Sequence, residues 1–479
     1  MNFPWIFFID IGIISAALLA ATFIRARVPF FQKYLIPNAL TAGFFLLFFY
    51  NYLSPLFGIT SEGLGALVYH LLSISFIAMT LRRSPESART INRKKSIFSM
   101  SIAILSQYAI QAVLGLGLTI LLISTSIPDL FPSFGFFIPL GFALGPGQAY
   151  AIGFGWESFG FEGAGSIGLT FAAFGFLWAC FGGIFLINHG IRKGWISPEQ
   201  LGMINTKEVK TGIYPEERQL PVGSRLTTET EAIDSMSFNI AMVLVVYLAT
   251  YLFLSLITFL LSFLGKMGSD LAVNLWGIGF VFAALLSLLT KKILKTLKIH
   301  HILDNGSLTR ISGTAVDVMV AASIGAISLV IVTRYWFPIF LMSIMAGLIT
   351  IVTVPWICSR IFTDHRFQRT LIIYGASTGT MPTGLALLRV IDPDFETPAA
   401  SDYMYATGIT FVLAIPLILI INLPVYSYTT GNQIYIWIAA AVCLGYLIFV
   451  FIAHGLLSRR KAYKKPGTIW LKEESRKAG

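Results

Sequence analysis

Long apolar stretches with few or no charges run through most of the chain and determine its predicted elements. One stretch near 311–333 carries Asp317, and the stretch 403–458 is long enough for two helices, broken near Pro424 and Gly431-Asn432. The other stretches of sufficient length are 5–24, 38–57, 62–81, 96–128, 163–191, 235–265, 271–290 and 335–359. Since a membrane-spanning helix needs about 20 apolar residues, the pattern predicts an all-α polytopic membrane protein with about eleven transmembrane helices.

Two further apolar stretches are interrupted in their centres by Gly and Pro. They are 135–156, with PLGFALGPGQAYAIG at its heart, and 370–388, with IYGASTGTMPTGLALL at its heart. In a helix interior Pro costs about 3 kcal/mol and Gly about 1 kcal/mol relative to Ala. At membrane depth a broken helix is tolerated only against protein or a water-filled cavity. We therefore interpret both stretches as re-entrant hairpins.

The charged residues support this class and orient the chain. Only 12% of residues are charged, the mean hydropathy is +0.77, and the net charge is +11. These values exclude a soluble enzyme and a disordered chain. The basic residues form short clusters beside apolar runs, as cytoplasmic loops do, so we do not expect a nucleic-acid partner. The clusters and the C-terminus all fall in the cytoplasm if the first hairpin enters from the outer face and the second from the inner face.

The two halves of the chain resemble each other weakly. NALTAGF at 38–44 is similar to NLWGIGF at 274–280, and GLTF at 168–171 to GITF at 408–411. We interpret this as a five-plus-five inverted repeat: an N-terminal repeat at 1–191, a cytoplasmic linker at 192–235, a C-terminal repeat at 236–428, and an extra helix eleven with a basic cytoplasmic tail at 429–479. Inverted repeats with broken segments at matching positions indicate a secondary transporter whose site lies where the breaks meet.

The hairpin tips supply the candidate site residues, because their backbone groups lack helical partners. Carbonyl oxygens there suit sodium, and helix N-termini suit a carboxylate. The candidates are Gly145, Gly147 and Gln148 in the first hairpin, Ser377, Thr378, Gly379, Thr380 and Thr383 in the second, and Asn38 and Asn274 at two matching helix starts. The hydroxyls have a structural alternative, since Ser and Thr also satisfy broken helix ends.

Asp317 is the strongest single candidate for a functional residue within a predicted span. An ionised Asp at a helix centre costs roughly 2.5–3.5 kcal/mol, so we expect it to face inward with a partner. It could be a sodium ligand, hold a substrate ammonium or carry a proton, and the alternative is a structural hydrogen bond. Gln107 and Gln111 share one face of helix four and are expected to bond neighbouring helices. His70, His454, Asp10 and Asp317 are scattered and form no catalytic signature, which argues against an intramembrane enzyme.

Three segments carry a resemblance to a known family. They are FQKYLIPNALTAGFF at 31–45, Gly145-Pro146-Gly147-Gln148 followed by SIGLTFAAFGFLWACFGG at 166–183, and Gly379-Thr380-Met381-Pro382-Thr383, like that family's Gly-x-x-Pro-Thr. In their order and spacing they resemble the bacterial sodium/glutamate symporters. The resemblance implies a homodimer in the bacterial inner membrane that takes up glutamate with sodium as the coupling ion and without another cofactor. A di- or tricarboxylate or another small anion is the alternative cargo, and a channel is a further alternative.

Overall fold

The computed structural model describes residues 5–34, 36–82, 91–195, 211–213, 222–392 and 397–471. Over these residues the secondary structure is helical, with no strand. The main helices are α1 (Ile6–Arg27), α2 (Asn38–Phe48), α3 (Glu62–Leu81), α4 (Ile91–Thr125), α5 (Phe134–Leu144), α6 (Pro146–Glu157), α7 (Ala164–Arg192), α8 (Ser235–Ser262), α9 (Gly265–Gly277), α10 (Gly279–Thr296), α11 (Asn305–Gly325), α12 (Trp336–Ile361), α13 (Arg366–Thr378), α14 (Met381–Arg389), α15 (Ala399–Thr430) and α16 (Ile434–Ser458).

Nine helices in the described part of the chain are long and apolar enough to cross a membrane, which is the architecture of a polytopic membrane protein. The prediction of about eleven differs at two places. The stretch 271–290 is divided into α9 and α10, bent by 67° at the break. The stretch 311–333 is displaced: α11 begins earlier, at Asn305, and ends at Gly325, before a short helix Leu329–Arg334. Both differences arise where glycine and polar residues interrupt the apolar pattern.

Helix ends outside the apolar stretches are fixed by polar side chains. Asp304 caps α11 and accepts a hydrogen bond from the Ser307 amide at 2.7 Å and from the Arg225 amide at 3.2 Å. Burial alone would raise the pKa of Asp304, but these hydrogen bonds lower it from its ordinary value. Lys291 of α10 donates to the carbonyl oxygens of Thr80 and Arg82 at the end of α3. The caps explain why α3 and α11 begin or end where the charged clusters lie.

The helices sort into two packed bodies. The first body consists of α1, α2, α3, α8, α9, α10 and α11, with α11 lying against α2 and α3. The second body consists of α4, α5, α6, α7, α12, α13, α14, α15 and α16, with α15 and α16 both packed on α4. Each half of the chain therefore gives its first helices to one body and its later helices to the other. Helix α6 forms the seam, since it contacts α3, α9 and α11 of the first body.

Aromatic residues fill the second body around α5 and α6. The rings of Phe131 and Phe161 stack with centroids 4.4 Å apart, and Phe137 lies 5.0 Å from Trp156 and 6.0 Å from Phe171. Such pairs contribute about 0.5–1.5 kcal/mol each beyond the burial of their area. This packing supports the segment 134–157, whose short helices could not hold their positions alone.

Candidate functional site at two helix breaks

The first break lies between α5 and α6. Gly145 has φ 98° and ψ 176°, a conformation that residues with a Cβ rarely adopt, and Pro146 opens α6 with the φ that a helix start requires. The Gly145 carbonyl accepts from the Ala149 amide at 3.2 Å. The amides of Gly147 and Gln148 are in the first turn of α6, where no helical acceptor exists. The break therefore presents backbone donors at a helix N-terminus.

Two further features of the first break concern the packing around Gly147 and the side chain of Gln148. A Cβ added at Gly147 would lie 2.8 Å from Leu72 Cδ1, so α3 of the first body packs directly on this turn. The Gln148 side chain is 3% exposed, and no hydrogen bond among the described residues involves its amide.

The second break lies between α13 and α14 and is polar. Helix α13 ends at Thr378, Gly379 follows with φ −151° and ψ −111°, and Thr380 is extended and precedes α14. Ser377, Thr378 and Thr383 are buried, and the hydroxyls of Thr380 and Thr383 lie 3.3 Å apart. The carbonyls of the last turn of α13 lack helical donors, and the first amides of α14 lack helical acceptors.

The two breaks meet. A Cβ added at Gly145 would lie 3.2 Å from Thr380 Cγ2 and 3.7 Å from the Gly379 carbonyl oxygen. Helix α7 lies beneath the second break, since a Cβ at Gly175 would be 2.5 Å from the Thr378 oxygen. Two helices, α6 and α14, begin at this point, and α5 and α13 end there. The partial positive charges of two N-termini and the partial negative charges of two C-termini thus lie within a few residues of one another.

Helix α4 connects the second break to α12 through its two glutamines. Gln107 accepts a hydrogen bond from Thr353 at 3.0 Å. Gln111 donates to Thr350 and to the Ser377 carbonyl, both at 3.0 Å. The prediction that these residues bond neighbouring helices is confirmed, and Gln111 in addition contacts the candidate site.

An ion pair that the sequence analysis missed holds the base of α13. Arg369 Nη2 lies 2.9 Å from Asp402 of α15 and 3.2 Å from Asp364, and Ser96 of α4 donates to Asp402 at 3.0 Å. The side chains of Arg369 and Asp402 are 0% and 1% exposed. The available signal was one basic and one acidic residue, each within the first turns of an apolar helix on the predicted cytoplasmic side. Neither residue alone distinguishes such a pair from interfacial charges.

The remaining predicted residues lie away from the breaks. Asn38 donates to Thr22 of α1 at 2.9 Å and so joins two helices of the first body. The side chain of Asn274 lies outside the described residues. Its backbone belongs to α9, near the end of that helix, so Asn38 and Asn274 are not at matching helix starts as predicted.

Asp317 differs from its prediction. It is exposed, and no hydrogen bond or ion pair within the described residues involves it. Arg310 and Thr314 are exposed on the same face of α11, while Ala321 and Ile324 further along that face are buried. An inward-facing Asp with a partner was expected because the sequence does not reveal which part of a helix face neighbouring helices cover. In the described part of the chain no group of three His, Cys, Asp or Glu side chains is placed to hold a metal ion.

Comparison of the chain with protein-family models, with curated proteins and with solved structures finds no match. What the site does must therefore be argued from its own residues: two broken helices from opposite halves of the chain, which meet in one body beside a seam with the other.

Proposed function

We propose that the chain is a secondary active transporter that uses a sodium gradient to take up L-glutamate or a similar acidic amino acid. The observation that carries this proposal is the meeting of Gly145 with Gly379 and Thr380 at the two helix breaks. In membrane proteins, irregular backbone at depth is tolerated where protein or a cavity covers it, and discontinuous helices recur at the substrate sites of transporters.

The electrostatics of the breaks suit an anion. Helices α6 and α14 each present unpaired amides and about half a positive charge toward the same point. Pro146 and Pro382 lie in the first turns of these helices, where a missing amide costs no hydrogen bond. An acidic amino acid has two carboxylates, one for each N-terminus.

The two-body arrangement supports transport rather than fixed binding. Alternating access requires one bundle to move against another around the site. The seam beside the first break includes small and apolar contacts, such as Gly147 against Leu72 and Gly277, where an added Cβ would lie 3.4 Å from the Ala151 carbonyl oxygen. Such a surface has few directional bonds that would resist sliding. We assign the exposed Asp317 of the first body to the cytoplasmic route, where it would bind sodium or the substrate ammonium.

The proposal also includes the inverted repeat, the two re-entrant hairpins and a homodimer in the bacterial inner membrane with its C-terminus in the cytoplasm. The lateral surface supports a membrane location. Apolar side chains of α8 such as Val245, Leu252 and Phe259 are 61%, 58% and 61% exposed, as lipid-facing positions are.

Uptake of radiolabelled L-glutamate into proteoliposomes tests the proposal. We expect accumulation with an inward sodium gradient and none when choline replaces sodium, with competition by aspartate. Sodium-driven uptake of citrate or another carboxylate in place of glutamate would change the cargo to a di- or tricarboxylate. Absence of gradient-driven uptake of any of these anions would contradict the proposal.

Two substitutions sharpen this test. Thr380→Val removes a hydroxyl at the meeting point and should lower uptake about tenfold or more, since a hydrogen bond to a charged group contributes about 1.5–3 kcal/mol. Thr407→Val is the matched control, because the Thr407 hydroxyl donates to Tyr403 of its own helix at 2.7 Å. Asp317→Asn should also reduce uptake. Equal activity of the Thr380 and Thr407 variants would place the substrate elsewhere.

A further inference from the structure

Two glutamines of α4, one helical turn apart, differ in how their amide oxygens are used. Both side chains are fully buried. The Oε1 of Gln107 lies 3.0 Å from the Thr353 hydroxyl, which shares its one proton between this oxygen and the Ile349 carbonyl at 2.8 Å. The Oε1 of Gln111 is buried and has no partner among the described residues. The comparison within one helix identifies Gln111 as the residue with an unused acceptor.

The orientation of the Gln111 amide follows from its partners. Its nitrogen lies 3.0 Å from the Ser377 carbonyl oxygen, which can only accept, so an amide flip would place two oxygens against each other. The Thr350 hydroxyl donates to the Ala346 carbonyl at 2.7 Å and therefore accepts from Gln111. Both amide hydrogens of Gln111 are used, and the oxygen remains.

A second unused oxygen belongs to Ser377, the residue whose carbonyl Gln111 contacts. The hydroxyl of Ser377, a residue 1% exposed and bonded to Gln111 through its own carbonyl, also has no partner among the described residues. Ser377 is in the last turn of α13, where carbonyl oxygens lack helical donors and the helix dipole is negative. Unpartnered oxygens from α4 and from the end of α13 thus belong to two residues that are hydrogen-bonded to each other at the second break.

We propose that the Gln111 amide oxygen, the Ser377 hydroxyl and the carbonyl oxygens that end α13 form a binding site for a monovalent cation, namely sodium. Neutral oxygens are the ligands that hard cations accept, and the shortage of carboxylates disfavours calcium and magnesium. Carbonyl ends of broken helices bind coupling ions in transporters. Cation binding itself does not require transport, but its role as coupling site rests on the proposed function.

The location of this site gives a physical basis for coupling. Thr380, where α14 presents its amides to an anion, is three residues beyond Ser377. A cation at the C-terminal end of α13 and an anion at the N-terminal start of α14 would lie on opposite sides of one break. Each charge then stabilises the other, so each ligand should raise the affinity for the other by the same factor.

Thermal unfolding of the purified full-length protein in detergent tests the site without any substrate. The melting temperature is measured against sodium concentration at constant ionic strength, with choline as the replacement ion. We expect sodium to raise the melting temperature of the wild type in a saturable manner. Gln111→Met, which keeps the size of the side chain, should raise the half-saturating sodium concentration about tenfold or more. Gln107→Met is the matched control and should keep the wild-type value.

Ser377→Ala removes a single oxygen and covers the case in which Gln111→Met does not fold. It should shift the half-saturating concentration in the same direction. The proposal is overturned if sodium does not stabilise the wild type relative to choline, if Gln111→Met and Ser377→Ala titrate like the wild type, or if the Gln107 variant shifts as much as they do. Saturable stabilisation that depends on Gln111, in a protein that takes up no anion, would support the cation site and reject the proposed function.

Discussion

Both helix breaks consist of one helix that ends and another that begins, but different interactions stabilise them. At the first, Gly145 turns the chain with a positive φ, and the surroundings are the aromatic residues of α5 and α6 and Leu72 of the first body. At the second, Gly379 turns the chain with a negative φ, the neighbours are hydroxyl groups, and the base of α13 is fixed by the pair of Arg369 and Asp402. The first break depends on backbone conformation and packing, and the second on polar contacts. Substitutions should therefore affect the two in different ways.

The largest effect is expected at the ion pair. Asp402→Leu leaves Arg369 buried with only the more exposed Asp364 nearby, and removing one partner of a buried pair costs about 3–5 kcal/mol. The double variant Arg369→Met with Asp402→Leu should recover much of this loss, because the buried Arg369 charge is then removed together with its buried partner. The free energy of unfolding, measured by denaturant titration in detergent, provides the readout. A double variant no more stable than Asp402→Leu would show that the pair does not act as a unit.

The next effect concerns the support of the second break by α7. In Gly175→Ala the new methyl would lie 2.5 Å from the Thr378 oxygen, and overpacking of this kind costs about 1–3 kcal/mol. Gly117→Ala on α4 is the control, since a Cβ there meets nothing within 4 Å. The melting temperatures of both variants measure this difference in stability. If Gly175→Ala is as stable as Gly117→Ala, α7 does not support the break.

A smaller difference separates the two turning glycines. Added Cβ atoms at Gly145 and Gly379 meet neighbours at similar distances, 3.2 Å and 3.1 Å, but only Gly145 has a positive φ. Gly145→Ala should be less stable than Gly379→Ala by about 1–2 kcal/mol, the cost of a left-handed conformation for an L-residue. The same unfolding titration measures this difference. Equal losses would mean that packing, and not backbone conformation, limits both breaks.

The smallest effect is expected from the C-terminal segment 459–471, which packs at the base of the second break. Trp470 stacks on Trp195 with centroids 4.6 Å apart, and both rings contact Phe367 in the first turn of α13. The lost ring pairs of Trp470→Ala should lower the unfolding free energy by about 0.5–1.5 kcal/mol beyond the loss of its half-buried area. Trp437→Ala, at a position 61% exposed on α16, is the control. An unchanged Trp470→Ala variant would separate this segment from the stability of α13.

Much of the fold could be predicted from the sequence because apolar length and glycine–proline interruptions are local signals. Helices occur at all the predicted apolar stretches that the structure describes, and the interruption at Gly145-Pro146 coincides with the end of α5 and the start of α6. Errors arose where glycine and polar residues interrupt the apolar pattern. The early start of α11 follows from the Asp304 cap. The division between α9 and α10 follows from a kink at Gly277 and Ile278.

For the candidate site, too, some features follow from the local sequence and others only from the tertiary structure. The sequence determined which residues would interrupt helices, because the conformational preferences of Gly and Pro act within a few residues. Only the tertiary structure decided that Gly145 and Thr380 lie together, that Gln111 contacts Ser377, that Arg369 pairs with Asp402, and that Asp317 is exposed. These contacts join positions far apart in the chain. Which face of each helix is covered depends on the packing of all the others, so no local pattern specifies it.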